Sequence, residues 1–381
     1  MRVLFDPDRQ KVPVRVWARK IDDETERQLQ HLASQPYVVD FVCAMADAHV
    51  SSGIAVGSVF ATEHTVVPRA LGGDLGCGMS ATRLSSSSQL DRKLLERLVT
   101  DLGRAIPTGD ATHRGKGADA PEALFSKPLS TRSLEHDRER LVRRHLGTLG
   151  GGNHFIELDR DTEGDLWLLI HSGSRGLGAA VAAHHVRVAG EVDDLAGIGT
   201  RTEEGAAYLA DVAWALMFAR ANREALRHRA IAALGHHLQD LVISEDTIDI
   251  HHNFVAQETW RGRDLLVHRK GAVAVPSGTL ALIPGSMGTA SYIVEGMGNE
   301  ASFGSCSHGA GRVMSRKQTH AAIRPAAFEQ SMRRVVYPEK IAKRLIEEAP
   351  AAYRDIGEVL DDQRDLVRRV KRVEPLAVLK G

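Results

Sequence analysis

The stretch Leu168 to Gly178, "LLIHSGSRGLG", changes character twice within a few residues. Its apolar start reads as a buried strand that ends at His171. A Gly/Ser loop with Arg175 follows, and an Ala-rich run with helical spacing begins just after it. Strand, glycine loop and helix N-terminus together can present backbone N–H groups to a phosphate. Such loops are also common without any ligand. The stretch therefore says more about fold than function: strands and helices must share one structure.

Working outward, "VVDFVCAMAD", "GDLWLLIHSG" and "GTLALIPGS" are short apolar runs that end in turn residues, and each reads as a buried strand. Ala206 to Leu234 is Ala/Leu-rich with helix-period spacing, and Gly235 is a possible cap. A second amphipathic helix is expected over about 338–360. Strands and helices do not alternate regularly, which favours a mixed α/β (α+β) fold over a doubly wound sheet. The polar segment 107–138, with scattered Gly and Pro, reads as a long surface loop or lid. "SSSS" at Ser85 to Ser88 is another loop. Candidate site residues lie on both sides of these breaks, so one large domain over 1–381, with peripheral helices, is expected.

Composition bounds the function classes. The 381 residues carry no formal net charge, and 43% are hydrophobic. No apolar run approaches the ~18 residues a membrane span needs. "MRVLFDPDRQ" turns charged too early for a signal peptide. Three cysteines, Cys43, Cys77 and Cys306, argue against a disulfide framework and for a reducing, cytoplasmic compartment. Zero net charge does not exclude a local basic face for nucleic acid.

Five segments could carry chemistry. In "GGDLGCGM" (Gly72–Met79), Asp74 and Cys77 place a carboxylate and a thiol in one glycine turn, which suits a metal or simply a tight turn with a buried Cys. "GTLGGGNHFIEL" (Gly147–Leu158) offers backbone donors, Asn153 and His154, or a hairpin with an incidental His. "LLIHSGSRGLG" adds His171. In "DTIDIHHNFV" (Asp246–Val255), strand alternation turns His252 to the core side and His251 away. The last, Pro284 to Arg312, has two glycine-rich turns and His308 before Gly-Ala-Gly and Arg312. One carboxylate, one thiolate and three histidines could hold two divalent ions with Cys77 between them. The remaining positive charge would attract a polyphosphate. The pairs His184–His185 and His236–His237 sit on helices, where neighbours do not share a face, and read as structural or solvated.

Taken together, "GDLGCGM", "GTLGGGNHFIE", "HSGSRGLG", "HHNFV", "RKGAV", "IPGSMG" and "SCSHGAGRVMSR" resemble the RtcB family of RNA ligases, from about Val14 onward. The resemblance implies a GTP- and manganese-dependent ligase. It would join an RNA 3′-phosphate or 2′,3′-cyclic phosphate to a 5′-hydroxyl through a histidine–GMP adduct and an RNA capped with GMP at its 3′-phosphate. By position, His308 matches the guanylylated histidine, with Asp47 and Arg312 beside it as catalytic candidates. Asp74, Cys77, His154, His171 and His252 match the ligands of two Mn²⁺ ions. Cys77 would bridge, with Asp74 and His154 on one side and His171 and His252 on the other.

The GTP-contacting segments match Asn153, His154, Phe155, Ile156 and Glu157, then His252 and Asn253. They continue with Pro284, Gly285, Ser286, Met287 and Ser291, and with His308, Gly309, Ala310 and Gly311. Lys380 in the final "VLKG" matches a lysine that contacts the guanine. Ala46, Ser51–Ser52 and Ala290 depart from the family pattern, while Asp47 and His49 keep it. RNA would bind through basic stretches at Arg138–His145, at Arg368–Val373 and in the loop with Arg114 and Lys116. Two other readings are a metal-dependent cyclic phosphodiesterase or phosphatase, and a non-ligating RNA-binding paralogue. Native RNA, metal identity, oligomeric state and any accessory activating protein stay open at this level.

Overall fold

The computed structural model describes residues 1–113, 120–190 and 195–381, and the loop bearing Arg114 and Lys116 lies outside them. The fold is a mixed α/β structure built on two sheets. The first sheet orders Arg2–Leu4, Val14–Val16, Val38–His49, Val56–Thr62, Arg263–Lys270 and Asn253–Trp260. The second orders Val242–His251, Gly78–Ser85, Leu166–Ser172, Phe155–Asp161, Val367–Lys380, Ser291–Gly296 and Leu280–Ile283. Pairing in the second sheet is antiparallel throughout. A short ribbon pairs Ala272–Ala274 with Ser305–Ser307.

The second sheet explains why "LWLLI" is apolar without alternation. Leu166, Leu168 and Ile170 pack with Leu98, Leu102 and Leu226 on one face. Trp167 and Leu169 pack on the other with Phe328, Met332 and Leu345. Both faces are covered, so each residue of the strand is buried. The first face is roofed by helices Arg92–Ala105 and Glu203–Gly235. The latter has 33 residues. It starts at Thr202, whose side chain accepts the Gly205 N–H. Gly235 is its last residue rather than its cap, which falls at His236.

Two expectations change. The polar segment turns helical before 138: Glu122–Phe125 is a 3₁₀ turn and Arg132–His145 an α-helix, capped by the Thr131 hydroxyl. The amphipathic stretch over 338–360 is not one helix. It breaks into short turns at Glu339–Ile341, Ala342–Leu345, Ile346–Glu348 and Pro350–Ala352, then a helix Ile356–Asp362. Pro350 pushes Ala349 out of helical geometry (ψ 143°), and Asp355 restarts the helix by capping Glu358. Among the described residues no helix is long and apolar enough to cross a membrane.

Candidate active site

Antiparallel pairing gathers distant residues at one end of the second sheet. Cys77 immediately precedes the strand Gly78–Ser85, and His154 precedes Phe155–Asp161. His171 lies near the end of its own strand, where it pairs with Met79 and Phe155. Lys380 ends the last strand opposite Phe155. His252 stands between Val242–His251 in one sheet and Asn253–Trp260 in the other, so the chain changes sheet at this residue. Its N–H donates to Cys77 O at 2.8 Å. Simple alternation through 248–254 does not run across it, yet His252 is turned inward and buried.

These side chains converge. Cys77 Sγ lies 3.2 Å from His171 Nε2 and 3.5 Å from His154 Nε2. His171 Nε2 is 3.0 Å from His252 Nε2, and His154 Nε2 is 3.8 Å from Asp74 Oδ2. His171 Nδ1 is tied to Asn153 O at 3.2 Å and His154 Nδ1 to Leu149 O at 2.9 Å. Each carbonyl calls for an N–H at Nδ1, which leaves the Nε2 lone pairs facing the cluster. Burial holds His171 and His252 well below the usual imidazole range, so both are neutral. Lone pairs from His154 and His171 meeting at the Cys77 sulfur, with His252 Nε2 beside them, are brought together favourably by a cation among them. The donor set therefore fits one or more divalent ions of intermediate softness. Burial, and then Asp74, push the Cys77 thiol well up, which a bound cation would reverse. The backbone approach is tight. A Cβ on Gly173 would sit 2.7 Å from Asp74 Oδ1 and 3.1 Å from Cys77 Cα.

Two residues of the long helix stitch the ligand loops. Asn222 accepts the Gly147 N–H and donates to Thr148 O, Ser172 Oγ and Gly173 O. Arg223, fully buried, grips Asp249 through Nε and Nη2 at 2.9 and 2.6 Å. Its Nη1 donates to Gly76 O and Ser172 O, each at 3.1 Å, beside Cys77 and His171.

His308 faces this cluster. Its ring centroid is 4.7 Å from that of His252. Its Nδ1 lies 2.7 Å from Asp47 Oδ2, with the ring turned so that no hydrogen bond forms. The same oxygen accepts the His308 and Gly309 N–H groups. Gly311 has φ 72°, and a Cβ there would strike Asp47 O at 2.5 Å. Three cavities, of about 200, 1240 and 580 Å³, meet at His49. The smallest also reaches His171 and His308. The third reaches Asp74, His252, Asn253 and His308.

The smallest cavity brings together most of the nucleotide candidates. Asn153, Phe155, Glu157, Pro284, Gly285, Ser286, Met287, Ser291, Gly309, Ala310, Gly311 and Lys380 line it. Ile156 does not, because alternation turns it into the apolar core beside Leu158. Asn253 lines the third cavity and braces it, accepting the Gly271 N–H and donating to Asp74 O. Arg312 lines the cavity but spends its donors on Met314 O, Glu348, Tyr353, Thr319 and Glu347 O. Glu348 and Tyr353 also line it and carried no sequence signal, since they lie in a segment without glycine loops or repeated histidines; Arg316, which lines it too, closes the SCSHGAGRVMSR motif but was not among its candidate residues.

The basic stretches are largely committed. Arg138 is buried, donating to Lys127 O and pairing with Glu135. Arg368, Arg369, Lys371 and Arg372 each face a carboxylate. Arg143 and Arg144 are exposed. A second acidic group, Asp161, Glu163 and Asp165, is a turn closed by backbone N–H groups, Trp167 and Lys371.

A family model described as tRNA-splicing ligase RtcB matches residues 28–130 and 125–381. A protein named RNA-splicing ligase RtcB1 from Escherichia coli strain ATCC 25922 is 36% identical, covering 98% of each chain. RNA-splicing ligase RtcB of Escherichia coli K12 is 35% identical over the same shares. The tRNA-splicing ligase RtcB of Thermococcus kodakarensis is 28% identical over 98% of this chain and 95% of its own.

Proposed function

The chain belongs to the RtcB family of RNA ligases, and from that premise we propose that it joins an RNA 3′-phosphate or 2′,3′-cyclic phosphate end to a 5′-hydroxyl end, with GTP and two Mn²⁺ ions. The observation that carries this reading is the position of His308, between a cluster of metal-type donors and a cavity lined by loops rich in N–H groups.

In this reading His308 Nε2 attacks the α-phosphorus of GTP. A P–N bond forms, the bond to pyrophosphate breaks, and GMP is then passed to the RNA 3′-phosphate, a 2′,3′-cyclic end having first been opened by water at its P–O2′ bond. The RNA 5′-hydroxyl next attacks that phosphate and GMP leaves. Asp47 fixes the His308 backbone and faces Nδ1, so Nε2 is the nitrogen left to attack. Asp74, Cys77, His154, His171 and His252 hold the ions, which when bound neutralise phosphate oxygens. The cavity segments at Asn153–Glu157, Pro284–Met287, Ser291 and Gly309–Gly311 seat the nucleotide. Glu157 and Lys380 offer an acceptor and a donor to a guanine edge, which carries N–H groups beside a carbonyl. Arg312 acts as a brace rather than a phosphate ligand, since its donors are already taken. Residues from Asp47 to Lys380 serve one site, so the chain works as one catalytic unit. Free Cys77 fits a reducing, cytoplasmic setting.

The test uses radiolabelled GTP with Mn²⁺, then an RNA pair ending in 3′-phosphate and 5′-hydroxyl. Wild type should form a covalent GMP adduct and a joined product. His308→Ala should form neither while still binding Mn²⁺, and an adduct on that variant would refute the assignment. A phosphodiesterase would process the RNA end without any adduct.

A further inference from the structure

We infer that Glu348 sets the base preference of the nucleotide cavity by holding Lys380 away from Glu157. The inference rests on the proposed use of this cavity for GTP.

Lys380 and Glu157 are diagonal neighbours on one face of adjacent strands, since Lys380 pairs with Phe155 and Val378 with Glu157. At that spacing a lysine reaches a carboxylate directly. Both side chains are nearly dry, 4% and 2% exposed, and burial pushes the Glu157 carboxyl up to about 8; closing on Lys380 would pull it back toward ionisation, so an unopposed pair would close. It does not. Lys380 Nζ instead donates to Glu348 Oε2 at 3.0 Å and to Gly152 O at 3.1 Å. Among the described residues, the Glu157 carboxylate takes no hydrogen bond and faces the cavity.

Glu348 is equipped to compete for the lysine. It is 3% exposed and accepts from the Tyr353 hydroxyl and from Arg312 Nη1, at 3.2 Å for the latter. Burial would raise its carboxyl, but Lys380, Tyr353 and Arg312 outweigh burial and keep it ionised. Glu348 therefore stays a carboxylate fixed on one side of Lys380, while Glu157 remains free on the other. An acceptor and a donor are kept apart for a base edge. With Glu348 neutral, Lys380 would swing to Glu157, and each would cancel the other's hydrogen-bonding role. Glu348 touches no reacting atom and is a positioning residue.

The experiment measures GMP- and AMP-adduct formation from GTP and ATP with Mn²⁺, in wild type, Glu348→Gln, Glu157→Gln and the double variant. In Glu348→Gln the GTP-over-ATP preference should fall by about tenfold or more, through a higher KM for GTP. The saturating adduct rate should stay within about threefold of wild type. In the Glu157→Gln background, adding Glu348→Gln should change the preference by less than about twofold. An unchanged preference in a folded Glu348→Gln protein, or equal losses for GTP and ATP, would overturn the role. If that variant does not fold, Lys380→Met decides: it should lose the same preference, and retention would overturn the role. Failure of wild type to form any adduct would instead sink the functional reading beneath it.

Discussion

Arg223 offers a sharp test of how the ligand loops are held. Its guanidinium makes two hydrogen bonds to Asp249 and one each to Gly76 O and Ser172 O, and Nη2 also lies 3.4 Å from His251 Nδ1. Removing one partner of a buried ion pair typically costs about 3–5 kcal/mol. Ser172 O loses this donor as well, at roughly 1 kcal/mol, while Gly76 O keeps His251 Nδ1 at 2.9 Å. Arg223→Ala thus threatens much of the ~5–15 kcal/mol that holds a domain together. Arg223→Lys is the informative change. Its ammonium can still face Asp249, but it lacks the planar fork that reaches both carbonyls. We expect it to lose roughly 1–3 kcal/mol in urea denaturation with chelator present. Gly76 and Ser172 adjoin Cys77 and His171, so Mn²⁺ affinity by calorimetry should fall about tenfold or more. If Arg223→Lys stayed within about 0.5 kcal/mol of wild type with unchanged Mn²⁺ affinity, the loops would not depend on the long helix.

Three further outcomes follow from the same geometry. Asp47→Asn keeps the shape beside His308 but removes the charge, and the single-turnover rate of GMP-adduct formation should fall by about 10²-fold, whereas an unchanged rate would make Asp47 only a loop anchor. His268, stacked on Phe60 at 4.5 Å and accepting the Val67 N–H, is pushed down to about 3 by burial; because the unfolded chain takes its proton first, stability is present above pH ~6.5 and lost toward pH 3. This residue contributes up to about 1.4 kcal/mol per pH unit, so urea melts between pH 7 and 5 should be shallower in pH for His268→Leu by that amount, and a slope unaltered by the substitution would refute it. Saturating Mn²⁺ at ~100 Kd should stabilise wild type by about 2.7 kcal/mol over EDTA-treated protein, and Cys77→Ala should lose most of that gain, whereas full retention would move the ions elsewhere.

Much of the site was legible because its chemistry is written in short, unusual words. His154, His171 and His308 each lie within two residues of a glycine, and Gly173 and Gly311 show how closely the backbone approaches there, whereas His252 stands in a glycine-free stretch. The strands were legible from length and apolar content. What local pattern could not supply was long-range partnership. Glu348 and Tyr353 sit in broken turns after Pro338, where helical periodicity suggested a continuous helix. Their importance comes from facing Lys380 and Arg312, which is a tertiary fact. Ile156 was swept in with a motif whose alternate residues face opposite ways. The basic runs were read for charge, but register and burial placed carboxylates against most of them.

The order of strands in the second sheet has a kinetic consequence. The strand Val367–Lys380, last in sequence, lies between Phe155–Asp161 and Ser291–Gly296. Until it inserts, the strand that follows His154 and the strand that begins at Ser291 expose unpaired edges toward each other. Closing that gap demands contacts across some two hundred residues, which makes assembly of the sheet slow compared with its local hairpins. Lys380, which lines the smallest cavity, arrives with the same strand that completes the sheet. A chain caught before that step would hold most of the clustered donors without the finished cavity, so the pocket proposed for nucleotide forms only when the sheet is whole.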